Sequence, residues 1–387
     1  MKIDIYNHKN KYLNWKAKIK NSDIEGLKKA NSDIIKRYVF DMENGLNVAV
    51  KSVKGARSHI RLNNLKQRLI FITKELEQRY NLKSYEGLTE EVLFKFFNGM
   101  RQGDIKRKDG KEYQSVGDYV KVFKAFYHWF MKVNKKNGDE IIDITLDLDT
   151  SSSKPKWVYL NEEQVKKLCD NAKYDYRVLI MFLFDSGIRS PTELVNIKVS
   201  DLYNDYKELL ISDEISKTFG RRIKLMLCSE MLKDYIKEKQ LKLEDYLFPI
   251  NPVGANQYLQ RLATRLFGDK VSEAGQKYSE LSLYDFRHCS CCYWLPRYKS
   301  ESALKYRFGW KKSDKIHYYS EMLGMKDTIS EEDLLVDTTK TELEIRLSKT
   351  EKENSLLTDK VEFMDKKLEE IQKLTDVLFE EIAKKKV

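Results

Sequence analysis

The chain has 387 residues, of which 71 are Lys or Arg and 60 are Asp or Glu, giving a formal net charge of +11 and an isoelectric point near 9.0. That length admits two domains with their own cores and an appendage. The longest apolar run near the middle, 178–184, is too short to span a bilayer, and the opening residues, MKIDIYNHKNK, lack the apolar segment of a signal peptide; a cytoplasmic protein without a membrane partner is expected.

Five cysteines, three of them crowded into Cys289-Ser290-Cys291-Cys292, do not form a spaced disulfide framework. Charge is unevenly spread. From residue 331 onward there are 11 basic and 16 acidic side chains, which leaves 60 basic and 44 acidic in the preceding 330. A basic body with an acidic tail fits a body that meets a polyanion.

In chain order, residues 1–30 are polar and give no clear element. Residues 32–133 read as helical. Ile34, Ile35, Tyr38 and Val39 start one amphipathic segment, which Gly45 ends. Residues 60–80 form the clearest, with Leu62, Leu65, Leu69, Ile70, Ile72 and Leu76 near 3.6 spacing. Another covers 90–97, and 115–133 carries the aromatics Tyr119, Phe123, Phe126, Tyr127, Trp129 and Phe130, which read as core. The basic runs 51–68 and 101–111 have two readings, a solvated face or phosphate contact.

Residues 149–156, DTSSSKPK, form a linker. Asn161 and Gln164 then fit a helix N-cap box, and the apolar 178–184 helix ends near Gly187. Segments 208–213 and 221–227 read as two strands of a hairpin around 217–220. The rest, to 321, reads as helix or loop. Ser282 and Asp285 are spaced as the cap and third residue of a helix that carries Tyr284 and Arg287 on one face. After a second cap box at Thr339 and Glu342, heptads run from Leu343, with d positions such as Leu357, Ile371 and Leu378 and a positions such as Leu347, Val361 and Leu368. They predict a coiled coil; a helix packed on the body is the plainer alternative. The fold class expected is mainly α with a small β-hairpin or sheet.

Within LSLYDFRHCSCCYWLPRYKSESALKYRFGWKKSDKIHYYSE (281–321), Trp310 follows Arg287 by 23 residues and Tyr319 follows Trp310 by nine. This spacing resembles the C-terminal motifs of tyrosine recombinases, the phage-integrase family. Asp185-Ser186-Gly187-Ile188-Arg189 with Glu193-Leu194 looks like the first family motif, its Arg-to-Glu spacing lengthened by one residue. Lys217 matches the family's catalytic lysine. Tyr284-Asp285-Phe286-Arg287-His288 is similar to the second motif, usually His-x-x-Arg-His, and Phe308-Gly309-Trp310 stands where the family has Gly-His or Gly-Trp.

The resemblance implies roles. Arg189 and Arg287 clamp a DNA phosphate, Tyr284 and Trp310 donate hydrogen bonds to it, Lys217 supplies a proton, and Tyr319 attacks, with Tyr318 as the adjacent alternative. It implies an N-terminal extension (1–30), a helical core-binding domain (31–148), the linker, a catalytic domain (157–330), and outside the family's core pattern the heptad tail (339–387). The implied protein is a nucleoid-associated integrase that cuts and rejoins double-stranded DNA at a specific site through a 3′-phosphotyrosine. It would need no metal, cofactor or ATP, and would work as a tetramer on paired sites. A chromosome-dimer resolvase of the same family and a non-catalytic DNA-binding relative are the alternatives.

The chemistry suits these residue types. Guanidinium groups stay charged and fork onto phosphate oxygens, and a tyrosyl phosphate ester conserves the energy of the bond it replaces. Each residue alone reads equally well as packing or surface charge; only the ordered set is specific. Zinc is disfavoured because no second Cys or His pair stands at ligand spacing near His288 and the cysteines. No phosphate-loop or dinucleotide fingerprint occurs.

Overall fold

Several helices begin at a side-chain cap, while the helix Asp285–Trp294 starts after Tyr284 without the expected Ser282 cap: the Ser282 N–H and hydroxyl both donate to the Asp285 carboxylate. The computed structural model describes residues 3–323 except 50, 51, 108, 152, 153 and 299, and beyond them only the helical positions 350, 358, 361, 364 and 367. Helix α1 spans His8–Lys18 and α2 spans Lys29–Asn44, closed by Gly45 in the left-handed conformation. In α3, His59–Tyr80, the Ser58 hydroxyl accepts from the Arg61 N–H, and Asn81 ends the helix at a positive φ. Thr89 caps α4, Glu90–Gln102, in the same way, and α5 spans Val116–Asn137.

The inward faces of these five helices share one hydrophobic cluster, from Tyr12 to Leu148. The aromatic stripe of α5 is its centre. Phe126 meets Tyr38 edge-on at 5.3 Å and Tyr85 at 4.8 Å, while the Trp129 N–H donates to the Asp41 carboxylate at 2.7 Å. Helix α1 is the element that periodicity misses, because few of its residues are apolar. It is nonetheless anchored: Tyr12 is buried, its hydroxyl donates to Glu43, and Asn63 of α3 donates to the His8 carbonyl.

Several charges of the basic runs are used internally. Lys66 is buried with its ammonium 4.5 Å from the Trp15 ring centroid, and burial pulls its pKa down to about 8. Arg68 bonds Asp118 and Arg101 bonds Asp149.

The second half opens with α6, Glu162–Asn171, whose Asn161–Gln164 box is reciprocal, followed by α7, Tyr174–Ser186, closed by Gly187. Three antiparallel strands come next, in the order β1 (Leu202–Tyr203), β2 (Glu208–Ile211) and β3 (Arg221–Lys224), with Leu209 opposite Ile223 and Ile211 opposite Arg221. The two expected strands are present but shorter, and β1 is an addition. Beyond β2, the Asp213 carboxylate accepts from the Gly220 N–H and closes a loop. Beyond β3, the N–H groups of Met226, Leu227 and Cys228 all turn to the Asp185 carboxylate instead of a strand partner.

Helices α8 (Ser229–Glu238), α9 (Pro252–Phe267), α10 (Asp285–Trp294), α11 (Glu301–Phe308) and α12 (Asp314–Met322) complete the described fold. Helix α10 packs against α7, and α11 against β3. The architecture is mainly helical with one small sheet, as expected. The heptad tail, 339–387, lies outside the described residues apart from the five isolated positions. Among the described residues no helix is long and apolar enough to cross a membrane.

Tyr12→Ala tests the place of α1 in the core. Losing this buried ring should lower unfolding stability by about 3 kcal/mol, read from urea titration.

Candidate active site

The end of α7 brings the first arginine into place. Gly187 has φ 59, and a Cβ there would lie 2.4 Å from the Phe308 ring and 2.7 Å from the Ser290 hydroxyl, so this turn needs glycine. Two residues later the Arg189 N–H and guanidinium both donate to Glu193, each at 2.8 Å. The extra residue between them is absorbed in a closed turn, with Glu193 N–H donating to the Arg189 carbonyl. Glu193 also accepts from Arg221 at 2.8 and 3.2 Å, and neither of those two side chains is exposed to solvent. Burial by itself would raise the Glu193 pKa; the hydrogen bonds and charge of Arg221, with those of Arg189, overcome it and hold the carboxyl at about 2.

The second arginine comes from α10. Arg287 is buried and donates to the carbonyls of Gly187 and Phe308, while Arg189 donates to the next carbonyl, that of Gly309. Two guanidinium groups are thus pinned to consecutive peptide units. Burial, then the charge of Arg189, lowers the Arg287 pKa to about 10. Gly309 has φ 61, and a Cβ there would press on Arg221, Thr218 and Arg189 at 3.1–3.3 Å. The loop from β2 to β3 reaches the cluster through Thr218, whose hydroxyl donates to the Gly309 carbonyl and accepts from Arg189.

Tyr319 of α12 is buried beside this cluster. Its ring stacks on Trp310 at 5.9 Å and 13° and meets Trp157 edge-on, and its hydroxyl shares a 2.5 Å hydrogen bond with Nδ1 of His288. Burial raises its pKa, and the nearby charge of Arg287 opposes that rise. Tyr318 is committed elsewhere: its hydroxyl accepts from the Trp157 N–H and donates to the Pro155 carbonyl.

No family model matches the chain. Two curated relatives do in part: tyrosine recombinase XerD of Listeria innocua, 27% identical over 42% of this chain and 54% of its own, and tyrosine recombinase XerD of Listeria monocytogenes, 28% identical over 31% and 42%. The chain spans about half the length of these relatives. Two solved structures share the fold. A lambda integrase dimer bound to a COC′ core site gives a TM-score of 0.55 at 14% identity, covering 77% of this chain and 79% of that one. The Tn1549 transposon integrase with transposon right-end DNA gives 0.54 at 15%, covering 80% and 98%. The chain has the fold of these integrases, and part of its sequence is similar to tyrosine recombinases.

Of the residues that the family resemblance singles out, Arg189, Arg287, Trp310 and Tyr319 come together with Glu193 and Gly309. Tyr284 stands at the start of α10, 44% exposed, close enough to Arg287 and Tyr319 to act on both electrostatically. Lys217 is exposed on its loop, outside the hydrogen-bonded cluster, next to Thr218.

Arg221, Thr218 and Trp157 are the site-forming residues that sequence motifs do not single out. Strand alternation carried a signal for the first: period two puts Arg221 inward with Ile223 and Arg222 outward, where it pairs with Glu208. The three clustered cysteines of α10 are buried, and burial pushes their thiols up, Cys292 to about 12.

Because the folded carboxyl of Glu193 is depressed to about 2, its stabilisation is fully present above pH 4.5 and is lost as pH falls through 2. Glu193→Gln should cost about 3–5 kcal/mol at neutral pH, since it leaves buried guanidinium groups unpaired. In thermal melts from pH 5 to pH 2 the variant should lose less stability than the parent chain.

Proposed function

We propose that the chain is a site-specific DNA recombinase, an integrase, that cuts and rejoins duplex DNA through a covalent 3′-phosphotyrosine. The observation that carries this reading is the pinning of Arg189 and Arg287 to neighbouring carbonyls beside the Tyr319 hydroxyl. Arg189 and Arg221 share the Glu193 carboxylate while Arg287 is held by carbonyls alone, so these three guanidinium groups keep an excess of two positive charges over that carboxylate. A desolvated excess of this kind is costly unless an anion arrives, and a phosphodiester supplies one.

In the proposed reaction the two arginines hold the non-bridging oxygens and Trp310 and Tyr284 donate further hydrogen bonds. Tyr319 attacks phosphorus, the bond to the 5′ oxygen breaks, and Lys217 protonates the leaving oxygen. The reverse steps join a new strand, so neither ATP nor a metal is consumed. Residues 31–148 would grip one face of the duplex and 157–330 the other. The basic body supports this, as do the fold relatives, one solved as a dimer on a core site and another as a lambda integrase tetramer on a Holliday junction. A tetramer on paired sites, with the 339–387 heptads joining protomers, is part of the same proposal. The second reading, a chromosome-dimer resolvase, is favoured by one observation: the curated sequence relatives are XerD recombinases, whereas the integrases match by fold.

The test uses a pool of duplexes randomised on either side of a single nick, so that cleavage near the nick frees a short fragment and traps the intermediate. The parent chain should give detergent-stable protein–DNA adducts with divalent metal chelated and no ATP. Tyr318→Phe should still trap, Tyr319→Phe should not, and Arg189→Lys should slow trapping by ~10²-fold or more, the scale of a lost charge-stabilising donor. DNA binding without any adduct would instead favour a non-catalytic relative.

A further inference from the structure

A tyrosine that attacks phosphate must lose its proton, and none of the roles above accepts one. The family's second motif usually begins with histidine, but this chain has Tyr284 there, and a phenol accepts no proton near neutral pH. One helical turn further along the same face of α10 stands His288, with the Tyr284 ring edge-on to it at 5.2 Å. The imidazole stacks on Trp157 at 4.7 Å and 25°, and its Nδ1 is 2.5 Å from the Tyr319 hydroxyl. That hydroxyl is the reacting atom, so the ring is held in hydrogen-bonding position before DNA arrives.

The geometry points to His288 as the general base that takes the phenolic proton of Tyr319 during cleavage, an inference that rests on the recombinase reading above. The O–H bond of Tyr319 breaks and its proton moves to Nδ1. The phenolic oxygen bonds to phosphorus, the bond to the 5′ oxygen breaks with its electron pair, and Lys217 protonates that oxygen. On rejoining, a 5′ hydroxyl attacks, its proton returns to Lys217, and the departing phenolate recovers its proton from His288. All protons and electrons are accounted for without a co-reactant.

The surroundings of the ring explain when this transfer can occur. Arg287 and Tyr284 face it from its own helix, Lys315 and Tyr319 from α12, and Cys291 and Cys292 lie near the phenol. Burial, then the charges of Arg287 and Lys315, lowers the His288 pKa to about 3, so the ring is neutral and Nδ1 can accept. The same charges resist an imidazolium until a phosphate enters and offsets them. Proton transfer is thereby tied to DNA binding, and the phenol stays protonated in the free protein.

The test uses the full chain and a nicked duplex recovered from the randomised pool. His288→Asn keeps a polar group near the place of Nδ1 but cannot take up a proton. It should bind the duplex as before and cleave ~10²–10⁴-fold more slowly, with a rate that climbs about tenfold per pH unit as hydroxide replaces the base, while the parent rate stays flat near neutrality. A substrate with sulfur in place of the 5′ bridging oxygen needs no leaving-group acid; it should restore Lys217→Ala but not His288→Asn. Free imidazole should partly restore His288→Gly, which decides the matter if the asparagine variant fails to fold. A His288→Asn pH profile parallel to the parent's, rescue of that variant by the sulfur substrate, or a glycine variant indifferent to imidazole each overturns the role of His288 and leaves the recombinase reading standing. A parent chain that traps no adduct removes both.

Discussion

The Glu193 carboxylate, shut away from solvent between Arg189 and Arg221, is the contact on which the rest of this site depends. Its burial is costly, and the buried charges on either side repay that only because every oxygen is bonded and the geometry is closed. A second layer stands behind it. Arg221 also donates to the Arg307 carbonyl, Arg307 donates to the Asp185 carboxylate and carbonyl, and Asp185 in turn gathers the N–H groups that follow β3. The end of α7, the hairpin, and the turn after α11 are therefore locked by charges rather than by apolar packing alone. Rigid placement of this kind is what charge stabilisation of a bound anion requires, because the dipoles need not reorganise when the anion arrives.

Against that frame Arg287 carries no carboxylate of its own. Backbone carbonyls hold it, and the charge of Arg189 beside it is repulsive. The phenol of Tyr319 completes the asymmetry, since burial keeps it neutral and its hydroxyl rests on His288. Cations are thus fixed and the phenol is restrained, so an incoming anion would change both at once.

How much of this could be read from the chain depended on range. Helices α3 and α5 follow from periodicity, and α6 from a cap box only four residues wide, 161–164. The Arg287–Trp310–Tyr319 spacing was legible because the family resemblance supplied it. Helix α1 was not, since a single buried Tyr12 among polar residues leaves no stripe to read. Glu193 meets Arg221 across 28 residues of sequence, and Trp157 reaches Tyr318 across 161, so no local pattern announces either contact. The lengthened spacing from Arg189 to Glu193 looked like a departure from the motif; the closed turn between them shows how the carboxylate still reaches both arginines.

The most direct measurement is a crystal structure of the chain with cleaved DNA strands and vanadate, which takes the five-coordinate shape of a phosphate under attack. Vanadium should be bonded to the Tyr319 hydroxyl oxygen, with N–H groups of Arg189 and Arg287 about 3 Å from the equatorial oxygens. Vanadate bonded to Tyr318, or lodged away from the two arginines, would contradict the account.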